Sequence, residues 1–443
     1  MKVWQQAKTL AEKTPANRNR YIDFLRAAAI IVVVFGHWIA AAPHAAGTQL
    51  QIVKMIGIAP WTHGLTWALQ VMPVFFIVGG YSNGASWEAA QRDGKGYQAW
   101  LHARLTRLVA PVVPLLIFWA GISIVAGSLG VDPELVRNAS RLALIPIWFL
   151  AVYILVIVLV PVASAAWQRY GLASFWLPVS AAILVDALAF GQGLLVLRWT
   201  NYAFVWLAVH QLGFLWRDGR ADQPIVAAGW ALAGLAILVF LVQVANYPIA
   251  MLSVPGAEFS NTRPPTVALV ALAAFHFGIV CMLQHPLQRW LEKVSPWTAT
   301  VLINGFIMTI FLWHSTVQVL AIGAAFWLGG FGLGWEPGSA IWWATRPIWL
   351  GVMLTALLPI VALLARFERG SRRSAGDGLA APAQVAGALT ACLGMALLAW
   401  AGMSQAGAPW FRVIPLVLAL AGAGLVLVRM DNWRKRKNGS FLH

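Results

Sequence analysis

The chain alternates long apolar runs with short polar connectors along its whole length. The runs extend over about 17–25 residues, which is the length that a helix needs to cross a bilayer. One run, 298–327, is longer than a bilayer requires, so we expect it to be tilted or broken. Spans are predicted at 22–42, 64–82, 104–128, 142–163, 173–190, 199–216, 225–245, 266–284, 298–327, 341–365, 381–402 and 412–429. The predicted fold class is therefore all-α, a polytopic transmembrane helical bundle.

The polar segments divide this bundle into a main part and a C-terminal part. The most polar break in the second half is RFERGSRRSAGDGLA, residues 366–380, which is typical of a linker. The last two spans have almost no polar residue in their interiors, so we expect a role in packing or assembly. The predicted divisions are a basic lead (1–21), a ten-span core (22–365), a linker (366–380), two additional helices (381–429) and a basic tail (430–443).

Composition agrees with a membrane protein and gives its orientation. Hydrophobic residues make up 60% of the chain and charged residues 10%, and the mean hydropathy is +0.73, which excludes an ordinary soluble domain. The net charge is +16, and 23 of the 31 Lys and Arg residues fall on one side of the predicted map. The positive-inside rule then explains the charge without nucleic acid as a partner. We expect a multi-pass protein of the inner (cytoplasmic) membrane with both termini in the cytoplasm.

Metal and cofactor motifs are not found in the sequence. Cys281 and Cys392 both lie in apolar runs, where packing is the simplest role for a thiol. There is no His-Glu-x-x-His motif, no Cys/His ligand cluster and no phosphate-binding glycine loop. We therefore predict no metal site and no permanently bound cofactor.

The first span carries the most informative polar pair. Arg26 and His37 are eleven residues apart, about three helical turns, so both lie on one face with about 16 Å between them along the axis. Ionisable residues inside a span are costly and are usually functional. Asp23 is three residues before Arg26 and can form an ion pair with it. A snorkelling arginine and a hydrogen-bonded core histidine are the alternative interpretation.

Other polar residues are candidates with a structural alternative. Arg104 and Arg107 share a face at the start of the third span, where they either anchor the helix or bind a phosphorylated donor. The histidines within other spans are individually more typical of packing than of chemistry, and Asp186 is interpreted as a structural partner of a histidine or of Arg198. These histidines are His210, His276 and His314.

Several motifs together resemble the acyltransferase-3 group of integral membrane acyltransferases. Its Arg, ten residues, His signature is met by DFLRAAAIIVVVFGHW, and its Pro-x-Phe-Phe stretch by VMPVFFIVGGY, where Gly79 replaces the usual Ser. An Arg-x-x-Arg element, a Trp-Phe-Leu element and a Leu-Trp-His element follow in the expected order, although the usual Ser-Tyr before the last is missing. These elements are Arg104 and Arg107, Trp148 to Leu150, and Leu312 to His314.

The resemblance implies a function and a set of roles. It implies transfer of an acyl group, acetyl above all, from cytoplasmic acyl-CoA as co-substrate to a hydroxyl of a glycan or lipid-linked acceptor. The implied catalytic residues are His37, as general base, with Asp23 and His314, and the implied donor-binding residues are Arg26, Arg104 and Arg107. The candidate pocket residues are Tyr81, Ser82, Asn83, Trp148 and Trp313.

A proton-coupled transporter is the alternative function. Buried His, Arg and Asp residues are also what a proton relay uses. Carriers often contain internal repeats with broken helices in matching halves, and this sequence has no convincing repeat. A basic doublet at the predicted inner mouth has no evident use in a carrier. These two features favour the enzyme.

Overall fold

A computed structural model of the chain confirms the all-α polytopic bundle. It describes residues 2–15, 18–46, 49–372 and 378–429. Within these residues, nine helices are long and apolar enough to cross a membrane, or ten if one bent pair is a single span. The only named strands in the described part are two short antiparallel ones, β1 (Ala41–Ala46) and β2 (Gln49–Lys54).

The chain divides into two compact units. Unit 1 contains residues 1–86, 160–307 and 335–343, and unit 2 contains 87–159, 308–334 and 344–443. Unit 1 holds the strands, a 3-10 helix (Leu195–Thr200) and these helices: α1 (Lys2–Glu12), α2 (Arg20–Ala40), α3 (Met55–Ile58), α4 (Thr62–Leu69), most of α5 (Met72–Arg92), α10 (Val160–Tyr170), α11 (Ala173–Gln192), α12 (Asn201–Arg217), α13 (Pro224–Gln243), α14 (Val267–Trp290) and α15 (Val294–Gly305).

Unit 2 is built from the remaining helices. They are α6 (Tyr97–Val109), α7 (Val112–Ser128), α8 (Pro133–Ala143), α9 (Ile145–Val158), α16 (Ile307–Trp327), most of α17 (Ala340–Arg372), α18 (Ala381–Ala401) and α19 (Val413–Leu427). Helices α8 and α9 form the bent pair, with an angle of 48° between them. Pro146 is near the start of α9. Proline suits this position because the first amides of a helix have no carbonyl acceptor, so the missing N–H of proline loses no hydrogen bond.

The predicted spans all fall on helices, but not all of these helices have spanning length. Helices α12 and α19, at the predicted spans 199–216 and 412–429, have 17 and 15 residues, which is short for a bilayer. By length and composition the count is therefore nine or ten among the described residues, and not twelve. The long segment 298–327 is broken, as expected, between α15 and α16 at Phe306.

The C-terminal helices pack inside unit 2. Gly387 and Gly394 of α18 face Gly422 and Ala419 of α19 so closely that an added methyl group would collide with the opposite backbone. Helix α18 also packs on α9 and α6, and the Cys392 thiol donates to a carbonyl of α9. Small residues that allow close backbone approach are typical of helix pairs in membranes. The predicted packing role therefore matches these contacts.

Two of the predicted divisions fall partly outside the described residues. Helix α17 continues to Arg372, so the first part of the predicted linker 366–380 is helical. Residues 373–377 of this linker and the predicted basic tail 430–443 lie outside the described residues. The predicted boundaries of the divisions stay predictions.

Candidate active site

The first helix of the site starts with a strong cap. The side-chain oxygen of Asn19 accepts hydrogen bonds from the amides of Tyr21 and Ile22, at 3.1 and 3.2 Å. Asparagine is among the best residues at this position because it satisfies amides that have no helical partner. The Asn19 amide group also donates to the hydroxyl of Tyr81 on α5, at 3.3 Å. The cap therefore fixes both the start of α2 and its contact with α5.

A charged cluster follows one turn later. The Asp23 carboxylate accepts from Arg18 at 2.6 Å and from Arg26 at 3.2 Å, so the predicted pair of Asp23 and Arg26 is present. The other guanidinium nitrogen of Arg26 donates to the hydroxyl of Ser82 on α5, at 3.0 Å. Asp23 is buried, whereas the Arg26 side chain is 32% exposed. The guanidinium is thus held in a fixed direction and still accessible to a ligand.

Tyr81 and Ser82 reach this cluster from the middle of α5. The glycines before them do not end the helix, since α5 continues to Arg92. Gly80 instead lies against the backbone of Gly213 on α12, where a methyl group on either glycine would collide with the other helix. The Tyr81 ring packs on Trp216 of α12 at 5.1 Å. Close helix approach, and not a turn, is therefore the role of Gly80.

The break before α16 supplies one more contact to this cluster. The side-chain amide of Asn304, in the last turn of α15, donates to the backbone carbonyl of Asp23 at 2.9 Å. Asn304 belongs to the segment INGF, which precedes the Leu-Trp-His element. The structure therefore joins the ninth predicted span to the first through a polar side chain that sequence reasoning did not select.

His37 lies near the other end of α2, fourteen residues and about 21 Å from Asp23 along the helix. His37 is half-buried as a residue, as are Arg26 and Val33 on the same face, whereas Ile30 and Val34 beside them are buried. This face of α2 is therefore partly accessible. Asp23 is paired with Arg26 and is remote from His37 along the helix, and its catalytic role stays a prediction.

Asn83, a candidate pocket residue, lies in the core. It is 1% exposed, and its side-chain amide is 3.2 Å from a ring nitrogen of the buried His210 on α12. This contact joins α5 to α12 and gives His210 the packing role expected of it. His276 likewise has a structural contact, from a ring nitrogen to the carbonyl of Trp67 at 2.8 Å.

Asp186 is held by neutral donors at a structural position. Its carboxylate accepts from the Asn201 amide at 2.8 Å, from the Tyr247 hydroxyl at 3.0 Å and from the Val267 backbone amide at 2.8 Å. Burial raises the pKa of Tyr247 far above its ordinary value, and the Asp186 charge adds to the shift, so the hydroxyl keeps its proton. The expected structural role of Asp186 thus comes mainly from these donors, with Arg198 contributing an attraction.

The remaining predicted site residues belong to unit 2. Arg104 and Arg107 lie on α6, where Arg104 is half-buried with its guanidinium 5.9 Å from the Trp100 ring, and Arg107 is exposed. Arg107 is in the last turn of α6, where the carbonyl dipoles favour a cation. Two guanidinium groups one turn apart can bind phosphate groups.

His314 lies in the core of unit 2. It is fully buried, with one ring nitrogen 2.7 Å from the Phe311 carbonyl and the other 3.1 Å from the Ser315 hydroxyl. Trp313 beside it is buried and its ring meets Phe118 at 5.3 Å, while Trp148 on α9 is half-buried. These contacts are packing contacts, and the catalytic role of His314 and the pocket role of Trp313 and Trp148 stay predictions.

Three residues of the site were not found from the sequence. Asn19 could have been found, since an Asn directly before an apolar run is a helix-start signal. Asn304 and Arg263 carry no comparable signal. Arg263 is exposed between buried neighbours, and this placement depends on the path of the connector between α13 and α14.

The spanning helices, with charged groups among them, define a multi-pass membrane protein. A family model described as an acyltransferase domain, that of acyltransferase-3, matches residues 19–366. The match covers most of the chain, which therefore belongs to the acyltransferase-3 family. It is thus a membrane acyltransferase, and the transporter alternative is set aside. No curated protein and no solved structure matches the chain.

Proposed function

We propose that this enzyme transfers an acyl group, acetyl above all, from cytoplasmic acyl-CoA to a hydroxyl of a glycan or lipid-linked acceptor. The observation that carries the proposal is the face of α2, with an accessible, oriented Arg26 near one end and a half-buried His37 near the other. The Arg26 guanidinium suits the binding of an anionic donor, and the His37 imidazole suits the deprotonation of an acceptor hydroxyl.

His37 acts as the general base in this proposal. Its imidazole takes the proton of the acceptor hydroxyl while the oxygen attacks the thioester carbonyl, the carbon–sulfur bond breaks, and the coenzyme thiolate leaves. The thiolate is protonated after departure, and the imidazolium returns its proton to solvent. A base that is half-buried can exchange protons with water and still exclude bulk solvent from the reacting atoms.

Arginines bind the donor in this proposal. In unit 1, Arg26, directed by Asp23 and Ser82, binds phosphate oxygens of coenzyme A. In unit 2, Arg104 and Arg107 on α6 are proposed separately, from their spacing, as phosphate-binding residues. Guanidinium groups suit phosphates because their N–H groups form paired, charge-assisted hydrogen bonds. Binding of a cytoplasmic donor also requires that these ends face the cytoplasm, as the distribution of basic residues predicts.

The central experiment incubates membrane vesicles with radiolabelled acetyl-CoA and follows label in the glycan and lipid fractions. We expect His37→Ala to reduce labelling by roughly 10²–10⁴-fold, the usual contribution of a general base. His285→Gln is the matched control, since His285 is an exposed histidine on α14. Near-normal labelling with His37→Ala would contradict the assignment of the base, and no labelled product from the wild type would contradict the function.

The donor site is tested by titrating acetyl-CoA. We expect Arg104→Ala to raise the KM for the donor about tenfold with little change in kcat, because a lost charged hydrogen bond costs about 1.5–3 kcal/mol. Lys95→Ala is the control, since Lys95 is an exposed cation of the same unit that pairs with Asp93 at 3.0 Å. A donor titration that is the same for wild type and Arg104→Ala would remove this residue from the donor site.

A further inference from the structure

The connector between α13 and α14 holds one short turn very firmly. The Asn261 side chain donates to the carbonyls of Pro248 and Ala250, at 2.7 and 3.1 Å, and accepts from the Thr266 hydroxyl at 2.8 Å. The Thr266 amide also donates to the Asn261 carbonyl at 3.1 Å, which closes the turn. The backbone on both sides of residue 263 is therefore fixed.

This turn presents a single exposed side chain. Residues 260–262 and 264–270 are all buried, and Arg263 between them is exposed. Within the part of the chain that the structure describes, the Arg263 guanidinium has no hydrogen bond and no ion pair. Such a rigid support for an unpaired cation suits a binding residue, because little backbone ordering remains to oppose binding.

The position of Arg263 relates it to the reaction. Phe24 of α2 packs on Trp290, the last residue of α14, at 5.5 Å, so α14 ends beside the Asp23 cluster. Because α2 and α14 both have the length of a membrane span, α14 begins on the opposite side, where His37 lies. Arg263, just before α14, is therefore on the side of the proposed base and away from the proposed donor phosphates.

Arg198, which contacts the same connector, has the contacts that a structural arginine makes. Its guanidinium lies over the rings of Phe190 and Phe259, at 5.0 and 5.4 Å, and donates to the Ser260 carbonyl at 3.1 Å. It is buried and is attracted by Asp186. Arg263 has none of these contacts, so holding the connector in place does not explain it.

We propose that Arg263 binds an anionic oxygen group of the acyl acceptor, a phosphate or a carboxylate, beside the hydroxyl that His37 deprotonates. The inference rests on the proposed function and specifies it, since it names an acidic acceptor. A guanidinium forms paired hydrogen bonds with either anion, so one residue both attracts the acceptor and orients its hydroxyl. Arg263 is a specificity-determining residue in this reaction.

A binding experiment tests this without depending on turnover. Phenylglyoxal modifies accessible arginines, and peptide mass spectrometry gives the rate at Arg263 in the full-length protein in nanodiscs. Glucose 1-phosphate, methyl glucuronide and the neutral methyl glucoside are compared at equal ionic strength. We expect one or both anionic sugars to slow modification of Arg263 at least threefold and the neutral sugar to leave it unchanged, and the two anions distinguish phosphate from carboxylate.

Arg141, an exposed arginine on α8 in unit 2, is the internal control. Slower phenylglyoxal modification at Arg263 but not at Arg141 supports an anion-binding site at Arg263. Equal protection of Arg141, protection by the neutral sugar, or no protection by either anionic sugar would overturn the proposal.

A transfer experiment separates the failure of this inference from the failure of the proposed function. Vesicles with Arg263→Gln should label the native acceptor about tenfold less than wild type, with an unchanged KM for acetyl-CoA, and Arg263→Lys should restore part of the labelling. Arg263→Gln with wild-type labelling overturns the role of Arg263 alone, since His37→Ala still tests the base. Wild-type vesicles that transfer no acyl group overturn the proposed function, and then the role of Arg263 in it as well.

Discussion

Unit 1 contains two buried carboxylates that are satisfied in opposite ways. Asp23 faces two guanidinium groups, those of Arg18 and Arg26, which are 51% and 32% exposed. Asp186 faces the neutral donors of Asn201, Tyr247 and Val267, with no ion pair at bonding distance among the described residues. The first arrangement leaves accessible cations that can exchange partners with a ligand. In the second, three hydrogen bonds to Asp186 join α11 to α12, to the connector between α13 and α14, and to the start of α14. We call this group of contacts the lock.

The largest effect should come from removing the lock. Asp186→Ala leaves a buried backbone amide, a buried side-chain amide and a buried hydroxyl without their acceptor, and each such group costs about 1–3 kcal/mol. We expect a loss of about 3 kcal/mol or more in the free energy of unfolding, measured by thermal unfolding in detergent. Asp23→Ala is the control and should lose about 1 kcal/mol or less, because its partners remain hydrated. Equal losses of unfolding free energy in Asp186→Ala and Asp23→Ala would contradict the difference between the two carboxylates.

Next in size is the effect of Asp23 on turnover. In Asp23→Asn the neutral side chain no longer holds the Arg26 guanidinium by charge, so we expect kcat/KM for acetyl-CoA to fall about tenfold, equivalent to about 1.4 kcal/mol. The steady-state rate at varied donor concentration measures it. Arg18→Gln removes only the more exposed partner and should change kcat/KM less than about twofold. A larger effect of Arg18→Gln than of Asp23→Asn would mean that Arg26 is not the relevant partner.

The smallest effect concerns one donor of the lock. Tyr247→Phe removes one hydrogen bond to Asp186 and should cost about 1 kcal/mol of unfolding free energy at neutral pH. The raised pKa of Tyr247 adds a pH dependence. The folded protein keeps the phenol proton, whereas the unfolded chain loses it above about pH 10, so the wild type loses this stabilisation as pH rises through that value.

Unfolding at pH 8 and at pH 10.5 measures this difference. The gap in unfolding free energy between wild type and Tyr247→Phe should narrow at the higher pH. A constant gap would show that the hydroxyl titrates equally in the folded and unfolded states, and a wider gap would show that folding lowers its pKa; either result contradicts the prediction.

Much of the site in α2 could be predicted because it depends on one helix. The spacing of Arg26 and His37 places them on one face in any α-helix, and Asp23 is within reach of Arg26 for the same reason. The position of Asn83 could not be predicted this way. It follows Tyr81 and Ser82 in sequence, but each successive residue points about 100° further around α5, and only the packing of α12 puts Asn83 in the core.

The number of spans shows a similar limit. Apolar runs located helices at all twelve predicted places, yet α12 and α19 are shorter than the runs that suggested them. Hydropathy records how apolar a segment is and not where its hydrogen-bonded helix begins and ends. The length of the run 298–327 indicated a break, which lies at Phe306. The length did not indicate the contact of Asn304, beside this break, with the Asp23 carbonyl.

The sequence by itself determined the class of fold, the family and the shared face of Arg26 and His37, because apolar run length and helical spacing are properties of neighbouring residues. Only the tertiary structure decided that Ser82 directs Arg26, that three neutral donors hold Asp186, and that Arg263 is exposed on a buried, hydrogen-bonded turn. These partners are far apart in the chain, and helix packing brings them together through contacts that no local pattern encodes.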